Sequence, residues 1–303
     1  MISTSKPDLK LSVVIAASNN ASLLEQCLTS LRGQGEAADI EVIVVSNYNA
    51  GTQEMIEKQF PQVKHISLPE DTTVPELRAM GISYSTGEIM ALAEDHCVFD
   101  ENWCSEIKKA HELPYSVIGG SVENASCERS LDWAVYFYEY GKYMLPNQAD
   151  VVDSLPGNNV SYKRCVLEEI DGSLRKGFFE TFIHWELRRQ GYSLYLIPSA
   201  IVYHKKSYKA KETFIQCYHH GRSFAGLRVS DASLLKRIEF ILGSLILPFL
   251  LPLRIVLRAI RKGRHIRELF LSLPYLLLLM VGWSFGEFCG YVGGEGRSSR
   301  KWK

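Results

Sequence analysis

Neither sign of charge is in excess in this 303-residue chain: lysine and arginine together number 34, and so do aspartate and glutamate. The basic surplus of a dedicated nucleic-acid binder is therefore missing, and no nucleic-acid partner is expected. Cysteines at metal-site spacing are missing too. Cys27, Cys97, Cys104, Cys127, Cys165, Cys217 and Cys289 include no Cys-x-x-Cys pair, and their number is odd. That argues against a zinc ribbon or a disulfide framework and suits a reducing cytosol. Met1 to Leu11 has no apolar core of the signal-peptide kind, so any membrane attachment is expected further along the chain. No repeat or low-complexity tract is present, and no apolar run reaches the about 20 residues of a straightforward spanning helix.

What is there begins as an alternation. Leu11-Ser12-Val13-Val14-Ile15-Ala16, Glu41-Val42-Ile43-Val44-Val45 and Ile89-Met90-Ala91-Leu92-Ala93 are short continuous apolar runs, as strands buried on both faces are. Val63 to Leu68 is a further strand-like element. Helical spacing appears at Leu23, Leu24, Cys27, Leu28 and Leu31, and again over Thr52–Phe60 and Leu77–Tyr84. Strand and helix in turn predict a parallel sheet covered on both faces, with ligands gathering beyond the carboxyl ends of the strands. Those ends carry Ala17-Ser18-Asn19, Ser46-Asn47 and Glu94-Asp95-His96. The middle of the chain has Gly119-Gly120, an aromatic-rich helix candidate from Leu131 to Tyr143, a Gly157-Asn158-Asn159 loop, a helix from Thr181 to Gln190 and a strand at Leu194–Ile197. Trp133, Tyr136, Phe137, Tyr138 and Tyr140 are expected to pack that first helix rather than to form a sugar platform.

From about Ile238 the composition changes. Phe240–Leu253 and Leu269–Gly286 are free of charge, the first broken by Pro248 and Pro252 and the second by Pro274, and both are short for a span. Arg254, Arg258, Arg261, Lys262, Arg264 and Arg267 lie between them. A two-helix hairpin would place this basic loop outside, against the positive-inside rule. Re-entrant or interfacial helices on the cytoplasmic face of the cytoplasmic membrane are therefore expected.

Glu94-Asp95-His96 ends an apolar strand. A carboxylate and an imidazole two residues apart point to the same side of an extended chain, and both ligate divalent cations that bridge phosphates. An acidic loop with a capping histidine fits the same three letters. Order and spacing across the chain then add to this. Val13 to Asn19, Glu41 to Asn47, Arg78-Ala79-Met80-Gly81 with Thr86-Gly87-Glu88-Ile89, Glu94-Asp95-His96, and Asp100 to Trp103 together resemble the nucleotide-binding half of the family-2 glycosyltransferases. Phe178-Phe179-Glu180-Thr181 through Trp185, Arg188-Arg189 and Gly191 is similar to that family's Glu-Asp-x-Asp-Leu-x-x-Arg stretch.

The resemblance implies an α/β, GT-A (Rossmann-like) mixed sheet flanked by helices, with a C-terminal apolar, membrane-associating helical region. It implies a glycosyltransferase domain over 1–230, with a donor half at about 10–120 and an acceptor half at about 120–205, and a membrane-associated region over 231–303. The implied activity is inverting, metal-dependent transfer of a hexosyl unit from a nucleotide-diphosphate sugar, UDP ahead of GDP, to a lipid-linked or polysaccharide hydroxyl. Glu180 falls on the catalytic base. By itself it reads as a first-turn carboxylate favoured by the helix dipole. Ala17, Ser18, Asn19, Ser46, Asn47, Arg78, Glu94, Asp95 and Gly120 fall on nucleotide-sugar contacts. Asn158 and Asn159 fall on the acceptor-side loop, and Glu94, His96 and His204 on a site for Mn2+ or Mg2+. Lys205, Lys206 and Arg222 are cations for the diphosphate or for anionic lipid. The chain departs from the pattern at Ser46-Asn47, where an acidic residue is usual, at Glu94-x-His96 in place of Asp-x-Asp, and at Phe179. Those departures keep a non-catalytic nucleotide-sugar-binding or scaffold protein as the alternative. A sugar-1-phosphate nucleotidyltransferase would need a glycine-rich loop with Arg and Lys after the first strand, and Ala16 to Asn20 is not one.

Overall fold

A computed structural model describes residues 10–18, 21–34, 40–48, 51–174 and 177–301. In chain order the elements are β1 (Leu11–Ala17), α1 (Ala21–Arg32), β2 (Ile40–Ser46), α2 (Thr52–Gln59), β3 (Lys64–Ser67), α3 (Val74–Tyr84), β4 (Ile89–Glu94), β5 (Cys97–Phe99), α4 (Trp103–Ala110) and β6 (Val117–Asn124). There follow α5 (Ser130–Glu139), β7 (Asp150–Val152), β8 (Val160–Lys163), α6 (Arg164–Glu168), α7 (Asp171–Leu174), α8 (Glu180–Arg189) and β9 (Leu194–His204). The chain ends in α9 (Ala210–Arg228), α10 (Leu234–Ser244), α11 (Leu247–Lys262), α12 (Ile266–Gly293) and a 3-10 turn at Ser298–Arg300.

Two compact units divide these elements: Met1–Glu123 with Leu145–Tyr203, and Asn124–Met144 with His204–Lys303. The first is built on a sheet of order β3-β2-β1-β4-β8-β6-β9-β5, with β7 on β9. β1 lies between β2 and β4, parallel to both, with Ala17 opposite Ser46 and Ala16 opposite Glu94. Beyond β4 the sheet turns antiparallel at β8 and again at β6. The parallel half thus follows the apolar runs of the sequence, and the sheet as a whole is mixed.

All seven residues of β1 are buried, so both of its faces need cover. Val13 and Ile15 join one core with Leu24 and Leu28 of α1 and Ile107 of α4. On the other face Val14 meets α3 at Gly81, where an added Cβ would lie 2.2 Å from Val14 Cγ1. Glycine at that position lets α3 lie close against the sheet. The helix starts at Val74, three residues before the expected Leu77, because Thr73 and Glu76 form a reciprocal capping box and Pro75 occupies its first turn. Arg78 consequently sits in the body of a well-anchored helix.

The second unit is helical. α5 stops at Glu139, short of the expected Tyr143, and Gly141 turns the chain tightly against the Phe137 carbonyl. Its aromatic residues pack: Trp133, Tyr136 and Phe137 are buried and their rings lie 5.6–5.8 Å apart. α9, which the sequence expectation placed within 1–230, packs along α12. A Cβ on Gly286 would fall 2.1 Å from the Tyr218 carbonyl oxygen, and one on Gly221 would fall 2.3 Å from that of Trp283. The two backbones approach as closely as small residues permit, which is how apolar helices pair in lipid. α12 has 28 residues and a mean hydropathy of 1.8 over its most apolar stretch, long and apolar enough to cross a membrane. α10 and α11 meet at a bend of 64°.

Candidate active site

Strand ends of the first unit bring the candidate residues together. Glu94 closes β4 beside Ala16 of β1, and the next residue turns back onto the same strand. The Asp95 N–H donates to the Ala16 carbonyl at 3.3 Å, and its carboxylate accepts the Ser18 N–H at 3.0 Å. Asp95 is wholly buried, so it holds the loop against β1. Burial, and after it the charge of Asp95, push the Tyr48 hydroxyl pKa up. His96 is held between the two acidic residues, with Nδ1 3.3 Å from Asp95 Oδ1 and Nε2 3.0 Å from Glu94 Oε2.

Arg78 connects this loop to the second half of the unit. Its guanidinium, 4% exposed, donates through one nitrogen to Glu94 Oε1 at 2.6 Å and through the other to Glu180 Oε2 at 2.7 Å. The two carboxylates are more open, at 18% and 29%. A buried cation is thus covered by two anions that face outward, the arrangement that keeps a desolvated charge paired. Glu180 opens α8, where the helix dipole also favours a carboxylate. The turn before it is tied to α3 by the Phe178 N–H donating to the Pro75 carbonyl at 2.8 Å. One turn later His184, also buried, has Nε2 2.7 Å from the Tyr162 hydroxyl on β8. Helix α8 is therefore fixed on both sides of its first turn.

The Gly157 loop comes to the same place. A Cβ on Gly157 would meet Glu180 Cδ at 2.9 Å and an Arg78 terminal nitrogen at 3.2 Å. Asn158 is 1% exposed, and neither end of its amide has a hydrogen-bond partner among the described residues. Asn159 is occupied with the scaffold instead. Its oxygen accepts from the Trp103 indole at 2.9 Å, and its nitrogen donates to the carbonyls of Ser121 and Ala200, each at 2.9 Å. Gly120 is likewise a packing position, since a Cβ there would be 1.9 Å from the Ala200 carbonyl oxygen.

At the other strand ends, Ala17 is buried in β1 and Ser18 follows it, while Asn19 lies outside the described residues. Ser46 Oγ is 2.9 Å from His65 Nε2, and burial lowers the His65 pKa. The Asn47 amide donates to the Thr72 carbonyl at 2.7 Å. His204 belongs to the second unit, where its ring stacks on Tyr208 and Nε2 lies 3.2 Å from the Tyr208 hydroxyl. Arg222, in that unit too, donates to the Gly294 carbonyl. Among the described residues no three His, Cys, Asp or Glu side chains gather around a common point in the way a metal cage requires.

Residues 12–171 match the model of glycosyl transferase family 2, which is more than half of the chain. The chain belongs to that family. No curated protein sequence matches it. Among solved structures, the mannosyltransferase PcManGT from Pyrobaculum calidifontis, in complex with GDP-Man and Mn2+, is similar with a TM-score of 0.57 at 14% identity, covering 91% of this chain and 87% of that one. TarS 1–349 of S. aureus in complex with UDP-GlcNAc gives 0.52 at 13%, covering 94% and 93%. GalNAc-T7 with UDP, GalNAc and Mn2+ gives 0.52 at 13%, over 66% of this chain and 44% of that one. At such identities the likeness is one of fold, and the fold of this family-2 glycosyltransferase is GT-A. Transfer of a glycosyl group from a nucleotide sugar is the activity that family and fold together support.

Thr73, Tyr162 and His184 were not singled out by sequence. Thr73-x-x-Glu76 is a readable capping signal. Nothing local marks the other two, whose pairing joins β8 to α8.

Proposed function

We propose that this protein moves a sugar from a nucleotide-diphosphate sugar to an acceptor hydroxyl in a single inverting displacement, with Glu180 as general base. The observation that carries this reading is the Arg78 guanidinium held between Glu94 and Glu180. It joins the loop expected to take the diphosphate to the residue expected to take the proton. An alcohol attacking an anomeric carbon sheds its proton as the new bond forms, and a carboxylate fixed at a helix start is suited to receive it. Arg78 sets the direction of that carboxylate through its bond to Glu180 Oε2, and the absence of a side chain at Gly157 leaves room beside it. The acceptor attacks opposite the departing diphosphate, so one displacement inverts the anomeric centre.

The residues at Glu94 and His96 fit a divalent ion that arrives with its substrate. Glu94 Oε2 and His96 Nε2 face each other at 3.0 Å, and a carboxylate and an imidazole are both donors that such an ion takes. Glu94 and His96 would hold Mg2+ or Mn2+ only in part, which suits an ion that is bound together with a phosphate-bearing substrate. The chemistry it would supply there is neutralisation of charge on the leaving diphosphate. PcManGT and GalNAc-T7 were each solved with Mn2+, and the nucleotides in those structures and in TarS are GDP in one and UDP in the others. A UDP-sugar is the donor proposed. The apolar helices of the second unit support a location at the cytoplasmic face of the cytoplasmic membrane, and with it a lipid-linked or growing polysaccharide acceptor.

Glu180→Gln tests the assignment. Transfer is expected to fall by about 10²–10⁴-fold, the range for loss of a general base, while donor affinity stays within a few-fold of the parent. Unchanged transfer in Glu180→Gln would remove Glu180 from the mechanism.

A further inference from the structure

Large exposed apolar side chains concentrate in the helical unit. Leu235 is 81% exposed, Phe249 78% and Phe285 57%. A surface of this kind marks an interaction site. On α12 the exposed apolar band runs from Phe270 to Val292, about 33 Å at 1.5 Å per residue. By length alone it matches the about 30 Å hydrocarbon core of a bilayer.

The opposite side of α12 argues against a crossing. It is packed in parallel on α9, with Gly282 against Phe214, Gly286 against Tyr218 and Gly290 against Arg222. α9 carries Lys211, Glu212, His219, His220, Arg222 and Arg228. A crossing α12 would draw that polar helix through the hydrocarbon beside it, and charged side chains at that depth are strongly disfavoured. α10 and α11, at 11 and 16 residues, are each shorter than a span, and a 64° bend separates them, so together they do not make one straight spanning helix. α11 has the pattern of a helix lying at an interface. Ile255 and Ala259 are buried on one side, while Phe249, Leu253, Leu257 and Ile260 are exposed on the other, flanked by exposed Arg254 and Arg261.

We infer that α10, α11 and α12 lie in the plane of a bilayer, their apolar faces sunk into one leaflet and Arg254, Arg261 and Arg267 reaching its anionic phosphate headgroups. Long arginine side chains reach headgroups while their stems stay among apolar neighbours, and positive charge beside a buried apolar face selects anionic lipid. The inference deepens the membrane location proposed above and is independent of the base assigned to Glu180.

The test places one cysteine at each end of α12 in the full-length protein: Arg267→Cys and Gly293→Cys, both at exposed positions with open space beside Gly293. Sealed inside-out membrane vesicles from expressing cells are treated with a membrane-impermeant maleimide, and each site is read separately by peptide mass spectrometry. The in-plane arrangement labels both ends to a similar extent before detergent is added, and neither end in right-side-out vesicles. Labelling of one end in each vesicle type overturns it in favour of a span. Absence of the protein from the membrane fraction overturns it as well. A second measurement addresses the lipid. Vesicles of phosphatidylcholine with phosphatidylglycerol should bind the parent at least tenfold better than phosphatidylcholine alone, and Arg254→Gln/Arg261→Gln should lose about fivefold per arginine toward the anionic vesicles. Equal binding to both vesicle types refutes the headgroup assignment. Because neither readout involves sugar transfer, their failure is distinguishable from failure of the catalytic reading.

Discussion

If one buried guanidinium serves both carboxylates, Glu94→Gln and Glu180→Gln should not act independently on stability. The two residues share Arg78, which is 4% exposed and bonded to each at 2.6–2.7 Å. Hydrogen bonds to a charged partner contribute about 1.5–3 kcal/mol. Both carboxylates are partly solvated, so each single substitution should cost about 1–2 kcal/mol after screening. After the first substitution the guanidinium keeps one anion. After the second it is a buried cation without a counter-ion, a condition that costs about 3–5 kcal/mol. The double variant should therefore lose at least about 1 kcal/mol more than the sum of the singles, whereas independent sites add within about 0.3–0.5 kcal/mol. In an Arg78→Met background the same cycle should become additive. Urea unfolding followed by circular dichroism reads all eight proteins, with comparison at the midpoint requiring an unchanged slope. Additivity in the presence of Arg78 would show that the guanidinium does not couple the two acids. The idea that it aims the base would fall with it.

Three further outcomes are expected. His111 is buried with Nε2 2.8 Å from Ser161 Oγ, and burial, then Lys163, lower its pKa to about 3. Between that value and the 6.5 of the unfolded chain only the unfolded state takes up the proton, so the contribution is complete above pH 6.5 and is lost as pH falls. At pH 5 the loss is about 2 kcal/mol, and a His111→Gln variant measured by thermal or urea unfolding should lack this part of the pH dependence. Gly286→Val should destabilise the helical unit by about 3 kcal/mol or more, because the new side chain meets the Tyr218 carbonyl rather than a movable group; limited proteolysis and thermal unfolding would detect it, and a parent-like midpoint would contradict the close α9–α12 packing. Thr73→Ala removes one half of the α3 capping box and should cost about 1 kcal/mol, with Glu76→Gln a milder companion, both read by urea unfolding.

Much of the first unit was legible because its signals are local. The runs Val13–Ala17, Val42–Val45 and Ile89–Ala93 are apolar without interruption, as strands covered on both faces are, and the residues that end them follow at once in the sequence. Glu94, Asp95 and His96 were found in that way. What Arg78 does was less legible: its two partners stand 16 and 102 residues away, and no spacing rule links an arginine inside one helix to the start of another. Asn159 shows the same limit from the other side. A Gly-Asn-Asn loop reads as polar and available, but the register of β8 against β6 decides which amide faces the interior, and it turns Asn159 onto Trp103, Ser121 and Ala200. The placement of α9 with α12 did have a signal. Gly282, Gly286 and Gly290 recur every four residues, the spacing by which a helix presents a close-packing face. The polar composition of α9 drew attention away from it.

The departures from the family pattern have a common physical sense once the geometry is known. Glu94 and Glu180 are each one methylene longer than the aspartates of the resemblance, and they approach the same guanidinium from opposite sides. The extra reach lets one cation bridge two carboxylates that are fixed to different elements. At the end of β2 the chain has gone the other way. Where an acidic residue is usual it has Ser46, hydrogen-bonded to a histidine whose pKa is lowered by burial, so that strand end is lined by neutral groups. Of the carboxylates near the end of β4, Glu94 and Glu180 share a single arginine, while Asp95 is turned to His96. Two carboxylates on one guanidinium leave a net negative charge at this point, which is in keeping with the proposed entry of the donor together with a divalent cation.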